Sequence, residues 1–414
     1  MQKRVLNINA LTLWLLASVF SLFQFFLQVA SSMMTHQYAS SFLLSPVKVG
    51  LLSSAFFYGY VLVQIPAGVL LDYFPVRRIL LSAALVCALG TLGFSMAPNV
   101  LVAAVMRFIM GLGAGFAFVS MVFSVGQYLP FRLFPLFVGL GEFIAMFGTA
   151  LAEHGVPYLV VGYGWRWVMG GASIVCLLLW VLMFFMLKPL QLDRAHLGHW
   201  QRALWQGVKQ VVALPVPWLA GVFALGVFGV ITVFNALWGV PFLMTAHHLS
   251  YYQATSGIAW SLIGVAVGAP VLGAISAKIG RPYPVMFVVT IAALLTSLVL
   301  LWAPILSVGE VYALLMLLGF FGSGNILAFS AIARMVPNGV QGAAIGLCNG
   351  ICLAGAIVFQ PVVGGLLSFF KQTQAPAHAF TLALTILPIV LVVALFALWA
   401  LVSEHLCYTE ESGS

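Results

Sequence analysis

Between residues 68 and 78 the chain reads GVLLDYFPVRR, a short turn marked by Gly68, Asp72, Arg77 and Arg78. It opens at the end of one apolar run, 47–71, and closes at the start of another, 78–98. Each run is as long as the roughly 20 residues that a helical bilayer crossing requires. Polar character is confined to the turn, so lipid rather than water surrounds the flanking segments. In lipid the backbone must satisfy its own hydrogen bonds, which a helix does within one segment. The stretch therefore reads as two membrane-spanning helices joined in water.

The same reading extends outward over the whole chain. Of 414 residues, 63% are apolar and 6% charged, against about 25% charged in a typical soluble domain. The 40 glycines suit membrane helices whose backbones approach closely. Spans are expected near 8–33, 47–71, 78–98, 100–124, 136–161 and 165–188, then near 217–244, 251–277, 283–303, 309–335, 340–369 and 378–403. The fold class is thus an all-α membrane protein with 12 transmembrane helices. The first run, after Lys3 and Arg4, is too long for a signal-peptide core and reads as the first span. Residues 189–215 form the longest polar stretch, with Asp193, Arg194, His196, His199, Arg202 and Lys209. Within it, 200–212 has amphipathic spacing suited to a membrane surface. The expected organisation is a six-helix bundle over 1–188, a cytoplasmic linker over 189–215, and a second six-helix bundle over 216–414.

A net charge of +8 does not point to nucleic acid, because the basic residues sit in short breaks between spans instead of one patch. With the N-terminus cytoplasmic, that side receives 12 of them: Lys3, Arg4, Arg77, Arg78, Arg132, Lys188, Arg194, Arg202, Lys209, Lys278, Arg281 and Arg334. The far side receives three, Lys48, Arg166 and Lys371. This asymmetry sets the orientation, with both termini cytoplasmic. No Asn-x-Ser/Thr acceptor occurs, which favours a bacterial inner membrane. Four of five cysteines (Cys87, Cys176, Cys348, Cys352) fall inside spans, and Cys407 follows the last one. They form no disulfide framework and have no metal-ligand spacing. No cofactor is expected.

Polar residues inside spans are costly in hydrocarbon unless they face protein or water. They are Gln24 and Gln28 in the first span, Gln64 in the second, Arg107 in the fourth, and Glu142 and Glu153 in the fifth. Asn235 follows in the seventh, Asn325 in the tenth, and Asn349 and Gln360 in the eleventh. Spans 3, 6, 9 and 12 have none in their interiors and read as peripheral; span 8, which also has none, breaks the rule. The same order in both halves is that of a parallel two-fold repeat. The turn after span 8, GAISAKIGR with Gly273, Ala277, Lys278, Gly280 and Arg281, echoes the 68–78 turn.

At these residues the chain resembles the major facilitator superfamily over essentially its whole length, which implies a fold of two six-helix bundles. Gly68, Asp72, Arg77 and Arg78 match the superfamily's signature loop, with Tyr73 in place of a basic residue and Pro75 in place of a glycine. The resemblance implies a conformational latch on the cytoplasmic side formed by Gly68, Asp72, Arg77 and Arg78, with Gly280 and Arg281 as its weaker second copy. Ala277 stands there where an acid would be. RFIMGLGAG, from Arg107 to Gly115, is similar to the family's fourth helix, and Gly164-Trp165-Arg166-Trp167 to a loop before its sixth. The fifth span lacks the glycine-proline signature of drug–proton antiporters, which favours uptake over efflux.

The expected function is secondary active transport of a small organic solute by alternating access, as proton-coupled symport of a carboxylate-bearing solute such as an amino acid, peptide or organic acid. Arg107 supplies a permanent fork of donors for a carboxylate. Gln24, Gln28, Asn235, Asn325 and Asn349 can read polar groups, and Trp238 and Tyr58 offer flat walls. Glu142 and Glu153 are the proton-coupling candidates, with Glu153 at a depth that would let it pair with Arg107. His247 and His248 read as an exposed loop pair. Alternatives are proton-driven efflux of a drug, metabolite or siderophore, and a non-transporting sensor, although the tail after Glu404 is too short for an output domain. No enzyme motif appears. The expected partners are the solute, protons and the lipid bilayer, with the protein a monomer that binds no nucleic acid.

Overall fold

The computed structural model describes residues 7–44, 46–188, 200–337 and 339–413, and every regular element among them is helical. In chain order they are α1 (Ile8–Phe42), α2 (Pro46–Tyr73), α3 (Val76–Ser95), α4 (Val100–Tyr128), α5 (Phe134–Tyr163), α6 (Trp165–Met186) and α7 (Trp200–Ala213). Then follow α8 (215–246), α9 (Tyr251–Ile279), α10 (Tyr283–Trp302), α11 (Val308–Met335), α12 (Gln341–Phe370) and α13 (376–413). All but α7 contain a segment long and apolar enough to cross a bilayer, which makes 12 spans. Lys3, Arg4, Asp193, Arg194, His196 and His199 lie outside the described residues.

Local chemistry explains the helix ends. The Asn99 side chain accepts from the Val102 amide at the start of α4. Ser250 with Gln253, and Ser307 with Glu310, form reciprocal capping boxes at α9 and α11. Each satisfies amides that have no acceptor inside the helix. The helix expected to stop near residue 33 runs on to Phe42, 35 residues in all. At 1.5 Å per residue that is about 52 Å, well beyond a hydrocarbon core of ~30 Å.

Two spans depart from regular geometry. In α8, Leu225–Gly229 and Phe234–Trp238 are π-helical turns on either side of Val230–Val233. In α11, Ser323–Asn325 tightens to a 3-10 turn.

The chain forms two compact units. One comprises Met1–Phe131, Ile144–Val211 and Pro337–Gly346; the other comprises Arg132–Phe143, Val212–Val336 and Leu347–Ser414. Each contains a helix pair in close backbone contact. In the first, a Cβ on Gly111 of α4 would collide with the Phe56 carbonyl of α2, and one on Gly59 with the Phe108 carbonyl. In the second, Gly319 of α11 stands in the same relation to the Ser261 carbonyl of α9, and Gly264 to the Met316 carbonyl. The matched pairs α2–α4 and α9–α11 are the packing counterpart of the sequence repeat. The far ends of α1, α3 and α6 are tied by the loop at Gly164, whose φ of 83° suits glycine. Trp165 donates its indole N–H to the Ser41 hydroxyl (3.0 Å), and Arg166 donates to the Ser95 and Ala97 carbonyls (3.1 and 2.8 Å).

Candidate functional site

Arg107 occupies the third turn of α4 and has no solvent exposure. The rings of Phe56 from α2 and Phe94 from α3 each lie 5.6 Å from the centre of its guanidinium. Tyr38 of α1 packs edge-on against Phe94, with centroids 5.5 Å apart. Among the described residues, none of the three guanidinium nitrogens has a hydrogen-bond partner. The aromatic faces contribute about 0.5–2 kcal/mol each, but they leave the N–H donors unserved. A buried charge without a counter-charge costs several kcal/mol, so a fork of donors placed here can receive an anion. The aromatic flank escaped the sequence reading, because residues 38, 56 and 94 come from three helices with no common spacing.

On α1 of the same unit, Gln24 is fully buried and donates to the Gln28 side chain (2.9 Å). Its own carbonyl oxygen is left without a donor. Gln64 holds α2 to α4 by donating to the Gly115 carbonyl (3.2 Å). The side chain of Glu153, the expected companion of Arg107, lies outside the described residues.

The second unit carries its own set of buried polar groups. Glu142 of α5 is 1% exposed, and one carboxyl oxygen has no partner. Asn325 lies in the 3-10 turn of α11, buried, with an unpartnered carbonyl oxygen. Asn235 donates to the Ser261 hydroxyl (3.1 Å), leaving its own oxygen free. Trp238 donates its indole N–H to the Gln360 carbonyl of α12 (3.1 Å). Asn235 and Trp238 share the second π turn of α8, a distortion frequent at functional sites. Asn349 is buried on α12, while Tyr58 of the first unit is 53% exposed.

The loop residues divide their work. Asp72, 1% exposed, accepts from the Gly342 and Ala343 amides at the start of α12 (2.9 and 3.0 Å). Carboxylate at a helix N-terminus satisfies orphan amides and meets the positive end of the dipole. Gly68 lets the two backbones meet, since a Cβ there would strike the Gly342 carbonyl. Arg77 turns instead to the end of α6, donating to the Leu187 and Phe184 carbonyls (2.6 and 2.9 Å). Arg78 is exposed. In the second unit Gly273 meets the Pro135 carbonyl in the first turn of α5 in the same backbone-to-backbone manner. Gly280 ends α9 with a left-handed φ of 75°, its carbonyl accepting from Arg334 (3.0 Å), and Arg281 is exposed.

His247 corrects the sequence reading: it is buried, not displayed on a loop. One ring nitrogen meets the Leu300 carbonyl (3.0 Å) and the other the Leu306 amide (3.4 Å). The ring thus donates at Nε2 and accepts at Nδ1, which fixes the neutral tautomer. Burial, aided by the adjacent His248 and opposed by the bond to Leu300, holds its pKa below the usual histidine value. Among the described residues no group of His, Cys, Asp and Glu could hold a metal ion.

Comparison with known proteins agrees with this architecture. Residues 13–255 match the family profile described as Major Facilitator Superfamily. A "Gentisate transporter" of Corynebacterium glutamicum is 25% identical over 341 residues, 79% of this chain and 74% of the relative. A "Probable galactarate/D-glucarate transporter" of Escherichia coli is 26% identical over 74% of this chain and 75% of its own. A "Probable sulfoacetate transporter" of Cupriavidus necator is 30% identical, but the match spans 34% of each chain. Among solved structures, the proton:xylose symporter XylE aligns with a TM-score of 0.72 and 16% identity, covering 94% of this chain and 95% of that one. The fucose:proton symporter FucP of Escherichia coli aligns with a TM-score of 0.72 and 17% identity, over 94% and 99%. At such identities the likeness concerns the fold alone.

Proposed function

The chain belongs to the Major Facilitator Superfamily and is a carrier of small organic solutes, not an enzyme; from that premise we propose that it is a proton-coupled symporter of a carboxylate-bearing solute. The observation that carries this reading is Arg107, whose buried guanidinium has three nitrogens without a partner among the described residues. A carboxylate is the small-solute group that answers a planar fork of donors with two acceptors at once. The relatives named for gentisate, galactarate/D-glucarate and sulfoacetate support the same group, since all of those compounds are carboxylates. They favour organic acids over amino acids or peptides.

In this mechanism the solute carboxylate meets the donors of the Arg107 fork, against which the rings of Phe56 and Phe94 pack. Gln24 and Gln28 in the first unit, and Asn235, Asn325, Asn349 and Trp238 in the second, are the candidates for further polar and flat contacts with the solute. Glu142 takes up a proton when its surroundings open to the outside and releases it inside. A second carboxyl, Glu153, is the other candidate to carry the coupled proton. Neutralising a buried carboxyl removes most of its desolvation penalty, so the loaded carrier changes conformation more easily with the proton than without it. Asp72, Gly68, Arg77 and Arg78, with Gly280 and Arg281, latch the cytoplasmic ends of the helices between cycles. The membrane is a bacterial inner membrane, both termini are cytoplasmic, and a monomer suffices. XylE and FucP, described as proton symporters, support protons as the coupling ion.

The test is uptake of labelled organic acids into proteoliposomes under an inward proton gradient. Wild-type protein accumulates at least one, and Glu142→Gln abolishes accumulation while keeping solute exchange across the membrane. Undiminished accumulation by Glu142→Gln would remove that residue from coupling. Extrusion in place of uptake would overturn symport itself.

A further inference from the structure

The helix between the sixth and seventh spans has two unlike sides. On one side of α7 (Trp200–Ala213), Val211 is fully buried. Gly207 sits close enough to Val69 of α2 that a Cβ would come within 3.1 Å of its methyl. On the other side, Trp205 is 67% exposed, Val212 45% exposed, and Gln206, Lys209 and Gln210 are exposed as well. At 100° per residue these exposed positions sort into bands. Trp205 and Val212 lie along one edge, Lys209 next to them, and Gln206 and Gln210 toward the opposite edge. The helix contains no acidic residue. Trp218, just inside the next span and 42% exposed, donates its indole N–H to the Val212 carbonyl (3.0 Å). This bond brings a second indole to the apolar edge.

An apolar aromatic edge, then a cation, then neutral amides is the order met on passing from acyl chains through headgroups to water. A soluble protein partner would not require that order, and it would not be tied to the start of a span as α7 is through Trp218. We propose that the outer face of α7 is a docking site for anionic phospholipid headgroups of the bilayer. Lys209 engages the phosphates while Trp205 and Trp218 lie among the upper acyl chains. The position of α7 against Val69, one turn before Asp72, joins this lipid contact to the end of α2.

Two measurements on the full-length protein test the proposal. Retention of phosphatidylglycerol against phosphatidylcholine is read by native mass spectrometry for wild type, Lys209→Gln and Gln206→Lys. A cation near an anionic surface contributes ~1 kcal/mol, so preference for phosphatidylglycerol falls about fivefold in Lys209→Gln and rises about fivefold in Gln206→Lys. Equal retention of the two lipids by wild type, or the same preference in all three proteins, would overturn the assignment. Tryptophan fluorescence in bilayers with chain-brominated lipid is then compared between wild type and Trp205→Phe. The difference signal from Trp205 is expected to be quenched by the bromines. A signal quenched by aqueous iodide but not by the bromines puts the face in water and refutes the proposal.

Discussion

Asp72→Asn is the perturbation whose size follows most directly from the geometry. Each carboxylate oxygen of Asp72 receives one amide of α12, from Gly342 at 2.9 Å and from Ala343 at 3.0 Å. Asparagine keeps one acceptor and turns an NH2 group toward the other amide. The loss comprises one charge-assisted hydrogen bond, ~1.5–3 kcal/mol, and the charge at the dipole, ~0.3–1 kcal/mol. Together these come to ~2–4 kcal/mol, or about 30- to 1,000-fold in the equilibrium between closed and parted states at a tenfold change per 1.36 kcal/mol. Hydrogen exchange of the first turn of α12 reads this equilibrium, because its amides exchange only when the contact opens. The expected result is exchange faster by that factor around residues 341–346, with α4 and α11 unaffected. Unchanged protection in that turn would refute the reasoning, since Asp72 would then not be holding it.

Two further outcomes follow from packing and titration. Gly111→Ala pushes a methyl into the Phe56 carbonyl, a backbone atom that cannot rotate away; a cost of ~1–3 kcal/mol lowers the thermal midpoint, while Gly171→Ala, with open space around it, leaves the midpoint unchanged. The folded pKa of His247 lies below the unfolded value of ~6.5, so the unfolded chain binds the proton first. Its contribution is complete above about pH 6.5 and is lost as the pH falls through the folded pKa. Wild type should lose thermal stability between about pH 7.5 and 5 more steeply than His247→Gln; identical slopes would show that the histidine does not titrate in this way.

Much of this molecule was legible because lipid imposes simple rules. Twelve runs of sufficient length and the turn at Asp72 needed only hydropathy and a lone acid in a basic loop. The limits arose where geometry depends on distant partners. Nothing local in LGVFG or FNALW signals a π turn, since the extra residue per turn is accommodated by what packs around α8. His247 looks like a loop residue until the Leu300 and Leu306 backbones supply its donor and acceptor. Arg77 shares a motif with Asp72, yet its long side chain finds the unpaired carbonyls at the end of α6. The extension of α1 past residue 33 was missed because hydropathy marks the lipid boundary and not the end of hydrogen bonding. For Arg107 the residue was visible but not its state: burial against two phenyl rings, with no acceptor among the described residues, is a fact of packing.

The central claim is that Arg107 receives the carboxylate of the solute. It is tested most directly by calorimetric binding of the transported acid and of its neutral methyl ester to wild type and to Arg107→Gln. A charge pair of this kind, broken on one side, costs ~2–5 kcal/mol, so wild type should prefer the acid by about 30-fold or more, and Arg107→Gln should bind acid and ester alike. An equal preference for the acid in both proteins would contradict the account, because the carboxylate would then be held elsewhere.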